Sequence, residues 1–241
     1  MENWQERTAL LVGRQALERF AGAQVAVVGI GGVGAYAAEM LVRAGVGKVI
    51  LVDSDTVSVS NKNRQLLSLD STVGQLKTDV LSRRLLDINP ALDIIKVAQY
   101  IEPETIDGIL GGLGHIDALV DAIDTLSPKL SLIAWCVHRN IPLVSSMGSG
   151  AKFDVTSVRI ADISKTFNCP LAYMVRKRLR REYGISKGFK AVFSEELPIA
   201  EAIVPDEGRN KKSQVGTISY LPAVFGCACA QQVISFLREI D

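Results

Sequence analysis

Cysteine and histidine are scarce in this 241-residue sequence: four cysteines (Cys136, Cys169, Cys227, Cys229) and two histidines (His115, His138). Four scattered cysteines in a chain this long exclude a disulfide scaffold. They also fall short of a closed zinc site, which needs four ligands. Cys227-Ala-Cys229 has the wrong spacing and Cys169 has no near partner, so no zinc is expected. Cys136, Cys227 and Cys229 read as small core residues on helices. A charge of one sign is missing too. Lys+Arg 27 against Asp+Glu 26 leaves +1, so binding to nucleic acid must use a local patch rather than a global field. The one long apolar stretch, 221–237, is broken by Pro222, Gly226, Gln231 and Gln232. Spanning a bilayer takes about 20 predominantly apolar residues, so this stretch reads as a buried C-terminal helix. The opening Met-Glu-Asn-Trp-Gln-Glu-Arg is polar and acidic, unlike a signal peptide. The expected location is therefore the cytoplasm. What is present, 48% hydrophobic and 22% charged residues, suits a folded soluble core of one large α/β domain or two small ones.

The apolar pattern alternates between strands and helices. Residues 1–22 read as a helical lead-in. Gln24-Val-Ala-Val-Val28 is a β-branched run followed at once by Gly29-Ile-Gly31-Gly32-Val-Gly34, which parses as strand, glycine turn and helix. The helix runs from Ala35 to about Ala44 and stops at Gly45, and a second strand, 48–53, closes a βαβ unit with parallel strands. Helices are then expected at 75–88, 103–112 and 127–139, and strands at 93–98, 118–121 and 141–145. These make up a doubly wound, mainly parallel sheet. After Gly150 the pattern changes. A strand is expected at 158–161, a basic segment runs to Arg181, and a Gly- and charge-rich loop, 204–216, precedes the last helix.

The glycines at 29, 31, 32 and 34 have distinct physical roles. One permits the tight turn, one lets the backbone approach a phosphate, and one lets helix and strand pack closely. The helix N-terminus then offers N–H groups to an anion. Asp53, at the next strand end, is placed to bind a ribose hydroxyl. An NAD enzyme accounts for all of this. The following residues argue instead for a triphosphate: Asp53-Ser-Asp55, then Asn61-Lys-Asn63-Arg64-Gln65, then Lys77. A dinucleotide already has its pyrophosphate at the glycine loop, whereas cleaving a triphosphate needs cations for the leaving pyrophosphate. Arg64 and Lys77 are the candidate pair, and Asn61 or Asn63 is expected to fix the loop.

The glycine motif, Asp53-x-Asp55, Asn63-Arg64-Gln65, Lys77 and Asp121-x-x-Asp124, in this order, resemble the adenylating domain of the ubiquitin-activating superfamily, including its bacterial ThiF and MoeB members. The resemblance covers about residues 7–150. It implies a Rossmann-like fold with a C-terminal extension, ATP bound at the glycine loop, ribose at Asp53, phosphates at Arg64 and Lys77, and Mg²⁺ at Asp124. It also implies a homodimer in which Arg7 reaches the partner subunit's ATP site. Residues 1–150 then form the ATP-binding adenylating core with its lead-in. Residues 151–241 form a basic substrate-binding segment and a C-terminal helix packed on the same domain.

The later segment extends the resemblance over nearly the whole chain. Asp162-Ile-Ser-Lys165-Thr166-Phe-Asn-Cys-Pro170-Leu, then Val175-Arg176-Lys177-Arg178-Leu179-Arg180-Arg181, then Val192-Phe193-Ser194-Glu195-Glu196 are similar to the tRNA threonylcarbamoyladenosine dehydratases. Some members have Asp where this chain has Cys169. Arg176, Lys177, Arg180 and Arg181 cover one broad helix face suited to phosphates, and Lys165 is grouped with them as a substrate contact. Rings for stacking are sparse; Tyr173, Tyr183 and Phe189 are the nearby candidates. The resemblance implies ATP-dependent cyclisation of N6-threonylcarbamoyladenosine in tRNA, with Mg²⁺, and leaves open a cysteine-desulfurase or sulfur-acceptor partner and a structural monovalent cation. The rival expectations are an activator of a sulfur-carrier or ubiquitin-like protein and an NAD oxidoreductase.

Overall fold

A computed structural model describes residues 4–205 and 213–238. Two short helices, α1 (Glu6–Val12) and α2 (Arg14–Gly22), lead into β1 (Gln24–Val28), α3 (Gly34–Ala44), β2 (Lys48–Val52), α4 (Lys77–Ile88), β3 (Asp93–Val97), α5 (Ile106–Leu110), β4 (Ala118–Asp121), α6 (Leu126–His138) and β5 (Leu143–Ser146). Then follow β6 (Val158–Asp162), α7 (Pro170–Tyr183), β7 (Lys190–Ser194), a small antiparallel pair of β8 (Ile203–Pro205) and β9 (Ser213–Val215), and α8 (Tyr220–Arg238).

The main sheet has the order β3-β2-β1-β4-β5-β7-β6. All neighbours are parallel except β6 and β7. The central strands are apolar on both faces because both faces are covered by helices. Along β1, Val25 and Val27 enter the cluster that contains residues of α3 and α8, whereas Ala26 and Val28 enter the opposite one with residues of α6 and α7. This is the period-two alternation of a strand. The chain leaves β1 for β2 and β3, then returns to place β4 on the other flank of β1. The strand order reverses there, and the crevice beyond the carboxyl ends of β1 and β4 is where such sheets bind ligands.

Local chemistry sets the element ends. α3 stops at Gly45 (φ +110°) and α7 at Gly184 (φ +70°), both left-handed, and α7 starts on Pro170. α8 is long and apolar enough to cross a bilayer by length and composition, yet Leu221, Phe225, Cys229, Val233 and Leu237 are buried in the core. Its Gly226 lies against α3, where a Cβ would come 2.5 Å from the Val33 carbonyl oxygen.

Several expected bounds shift. The lead-in is two helices because Gly13 takes φ +84° between them. The helix expected over 103–112 shortens to Ile106–Leu110; its ends carry Thr105 and the Gly111-Gly112 pair, which favour turns. The helix expected from 75 begins at Lys77, the strand expected to 98 ends at Val97, and the strand expected from 141 begins at Leu143. The loop expected over 204–216 contains most of the β8–β9 pair. β7 fills the open edge of β5, so residues after 150 complete the sheet begun by those before it.

Candidate active site

The glycine loop joins β1 to α3 at the strand-order reversal. Gly29 (φ +82°) donates its N–H to the Val52 carbonyl at 2.8 Å, and a Cβ there would lie 2.8 Å from the Ala122 carbonyl oxygen. A Cβ on Gly34 would lie 1.8 Å from the Gly29 carbonyl oxygen, so this position accepts only glycine without a change of path. A Cβ on Gly31 would lie 3.4 Å from the Gln65 side chain, and one on Gly32 would lie 3.2 Å from Pro222 and 3.6 Å from the aliphatic part of Arg64. The loop is thus a cradle whose free space depends on the missing side chains. The first N–H groups of α3 have no partner within the helix, and that of Ala35 donates to the Gly31 carbonyl at 3.3 Å.

Asp53 follows β2 and organises this cradle. One carboxylate oxygen accepts the Ile30 N–H at 2.8 Å and the other accepts the Asp55 N–H at 2.8 Å. Its side chain is only 10% exposed, and burial raises its pKa against the lowering pull of the Lys77 charge. Lys77, the first residue of α4, is buried; its ammonium lies 2.7 Å from Asp55 and 3.8 Å from Asp53. The two expected phosphate cations are therefore held differently. Lys77 is compensated by two carboxylates, so reaching a phosphate requires it to leave Asp55. Arg64 is braced through one guanidinium nitrogen, which donates to the Ser60 carbonyl and to Asn63 Oδ1 at 3.1 and 2.9 Å.

The asparagines shape the intervening loop. Asn61 Oδ1 accepts the Ser58 N–H at 3.2 Å, and the Asn63 amide donates to the Thr217 carbonyl at 3.0 Å, tying the loop to the segment before α8. Gln65 Oε1 is buried with no hydrogen-bond partner. A buried orphan acceptor beside a glycine cradle is what a ligand's donor would satisfy.

Asp124 lies exposed between β4 and α6. Its loop presses on the glycine loop, since the Cβ position of Gly29 is 3.1 Å from the Ile123 nitrogen. Among the described residues no three His, Cys, Asp or Glu side chains gather as a metal cage. One carboxylate beside a polyphosphate suits Mg²⁺, which is commonly held by one or two carboxylates, substrate phosphates and water. Asp124 fits that ion and Zn²⁺ finds no ligand set among these residues.

The basic residues on α7 and in the turn before it divide by burial. Lys165, Lys177, Arg180 and Arg181 are exposed, whereas Arg176 is half-buried and donates to the carbonyl of Thr166 at 2.8 Å and to its hydroxyl. The structure thus separates Arg176 from the other four. Arg178 and Arg181 both pair with Glu182 and hold its carboxyl down to about 2. Arg7 is exposed on α1, beside Leu10 and Leu11, which are 82% and 85% exposed.

Sequence patterns missed two buried lysines. Lys129 on α6 is fully buried, 2.8 Å from Asp121, and donates to the Ile123 carbonyl at 3.0 Å; Asp121 also accepts the Ser145 hydroxyl at 2.6 Å and the Ile123 N–H at 3.1 Å. This network fixes the residues just before Asp124. Lys152 is buried at the carboxyl end of the sheet and donates to the carbonyls of Ser194 and Asn168 at 3.0 and 3.3 Å; burial lowers its pKa. A lysine next to apolar residues carries no sequence signal of burial.

A match to the ThiF family spans residues 5–241. The chain is 41% identical over 244 residues to the tRNA threonylcarbamoyladenosine dehydratase of Bacillus subtilis (strain 168), covering 98% of this chain and 95% of that protein. Among solved structures it is similar to the E. coli tRNA N6-threonylcarbamoyladenosine dehydratase in complex with ATP. The TM-score is 0.89 at 34% identity, over 98% of this chain and 96% of the other. The AMP complex of the same enzyme gives a TM-score of 0.88 at the same identity and coverage.

Proposed function

This chain belongs to the ThiF family, and within it to the tRNA threonylcarbamoyladenosine dehydratases; from that premise we propose that it uses ATP to cyclise N6-threonylcarbamoyladenosine next to the tRNA anticodon. The observation that carries the reading is the glycine cradle at the strand-order reversal, with Asp53, Arg64, Lys77 and the Asp124 loop around it. The likeness to an ATP-bound dehydratase over 98% of the chain supports it.

A carboxylate is a poor electrophile because its leaving group would be oxide. The threonyl carboxylate therefore attacks the α-phosphorus of ATP, forming a P–O bond while the bond to the bridging oxygen of pyrophosphate breaks. Arg64 and Lys77 stabilise the charge that gathers on the pyrophosphate. Asp124 would hold Mg²⁺, which would supply further positive charge for the departing pyrophosphate. The ureido group of the same nucleotide then attacks the acyl carbon, loses a proton, and displaces AMP, which carries off the carboxylate oxygen. The net change is loss of water with closure of a five-membered ring. The second nucleophile is already tethered, so effective molarity replaces a covalent enzyme intermediate.

Asp53 holds the glycine loop through the Ile30 N–H and its own turn through the Asp55 N–H, and offers its remaining acceptor capacity to the ribose. Lys165, Lys177, Arg180 and Arg181 bind the tRNA backbone, and Arg176 holds the start of α7. The active unit is a homodimer with Arg7 acting on the partner's site, in the cytoplasm. The test is isotope exchange between pyrophosphate and ATP. Exchange that depends on threonylcarbamoylated tRNA supports the reading. Exchange that depends on a carrier protein's C-terminus favours an activator of that protein, and none at all with either removes adenylation.

A further inference from the structure

We infer that Tyr173 is a stacking platform for an unpaired base of the anticodon loop, flanked by the cations of α7; this rests on the tRNA reading above. Of the three rings expected near the basic segment, Phe189 is buried and the Tyr183 hydroxyl lies 3.1 Å from that of Ser131. Tyr173 alone is open, 54% exposed in a helix whose outer face is otherwise mostly charged. Its position on α7 is one turn from Lys177 and two turns from Arg180 and Arg181, so the ring and the cations share one stripe. Ala172, Val175 and Leu179 bury the opposite side.

The direction of α7 matters. The Asn168 amide donates to the Glu195 carbonyl just past β7 at 2.7 Å, and Cys169 contacts the Cβ position of Gly148 beyond β5 at 3.8 Å. α7 therefore begins at the carboxyl end of the sheet, the end that holds the glycine cradle. Tyr173, in its first turn, lies toward that end, and Arg180 and Arg181 lie two turns further away. A loop that places its modified base at the cradle has neighbouring unpaired bases to lay on Tyr173 and phosphates to follow the cations. The Lys177 ammonium sits 6.0 Å from the ring centroid, at the outer limit of a cation–π contact. Moving it to a phosphate gives up little.

Stacking on an aromatic side chain is tolerant of sequence, absent for paired bases, and insensitive to the hydroxyl. The probes are a threonylcarbamoylated anticodon stem-loop and a blunt RNA duplex of equal charge, titrated against the full chain. Tyr173→Ala should weaken stem-loop binding about tenfold or more, with the salt slope, duplex affinity and ATP affinity unchanged. Tyr173→Phe should bind like the parent. The inference is overturned if Tyr173→Ala binds the stem-loop within about twofold of the parent, or loses duplex binding equally, or if Tyr173→Phe is as weak as the alanine variant. If the unmutated protein binds neither RNA, it is the tRNA reading that fails, and the inference with it.

Discussion

Replacing Lys129 by methionine should destabilise the fold that the site stands on without unfolding it. The side chains of Lys129 and Asp121 are both fully buried and 2.8 Å apart. Methionine fills most of the lysine volume, so the main loss is electrostatic. Removing one partner of a buried pair leaves an uncompensated charge and costs about 3–5 kcal/mol. Asp121 keeps the Ser145 hydroxyl and the Ile123 N–H, which places the cost at the lower end, about 3 kcal/mol. For a chain of this size that corresponds to a melting temperature lower by about 6–12 °C. Adding Asp121→Asn removes the stranded charge; its one oxygen still accepts the Ile123 N–H and its NH₂ donates to the Ser145 hydroxyl, which turns to accept, so the double variant should recover much of the loss. Thermal and urea melts read by circular dichroism measure both. ATP affinity should fall in the single variant as well, because Ile123 and Ala122 touch the glycine loop. A loss below about 1 kcal/mol, or a double variant less stable than the single one, would refute the electrostatic account.

Two other outcomes are expected. Burial alone would raise the Glu39 carboxyl, but hydrogen bonds and charges from Arg84 and Arg43 bring it below its usual value. Its stabilising contribution is therefore present above the unfolded value and is lost as pH falls through the lower, folded one; Glu39→Gln should flatten stability against pH below about 5, and an unchanged acid limb would disprove the assignment. For the dimer, Arg7→Ala and Lys77→Ala should each be nearly inactive alone, while mixed dimers carry one intact site and regain about half the parental activity if Arg7 serves the partner's site with a rate effect of the arginine-finger kind; confirmed mixed dimers with no recovery would place Arg7 in its own site or nowhere.

The parallel sheet and its switch point were legible because β1, β2 and β4 are short apolar runs bounded by Gly or Asp, a pattern set by burial on both faces. The cradle was legible because steric need for glycine recurs at fixed spacing. Other features depend on chain neighbours that no local pattern carries. Lys190–Ser194 has three apolar residues between a lysine and a serine; it becomes a strand because the edge of β5 is open beside it. Asp121 and Ser145 stand side by side by strand register, and Lys129 closes on them from α6, so this triad exists only in three dimensions. Arg176 shares a helical face with Lys177 and Arg180 on paper. The path of residues 166–169 past α7 is what draws it onto Thr166 instead. Lys77 is neutralised by Asp53 and Asp55 for a like reason: the isolated bridge between Thr56 and Leu76 brings two distant segments together.

The most direct measurement is mass spectrometry of tRNA nucleosides after incubation of the protein with ATP and tRNA carrying N6-threonylcarbamoyladenosine. The account predicts a new nucleoside lighter by one water, formed with one AMP and one pyrophosphate per conversion and abolished by Asp124→Ala. Conversion without ATP, release of ADP in place of AMP, or unchanged nucleosides with active, ATP-binding protein would contradict it.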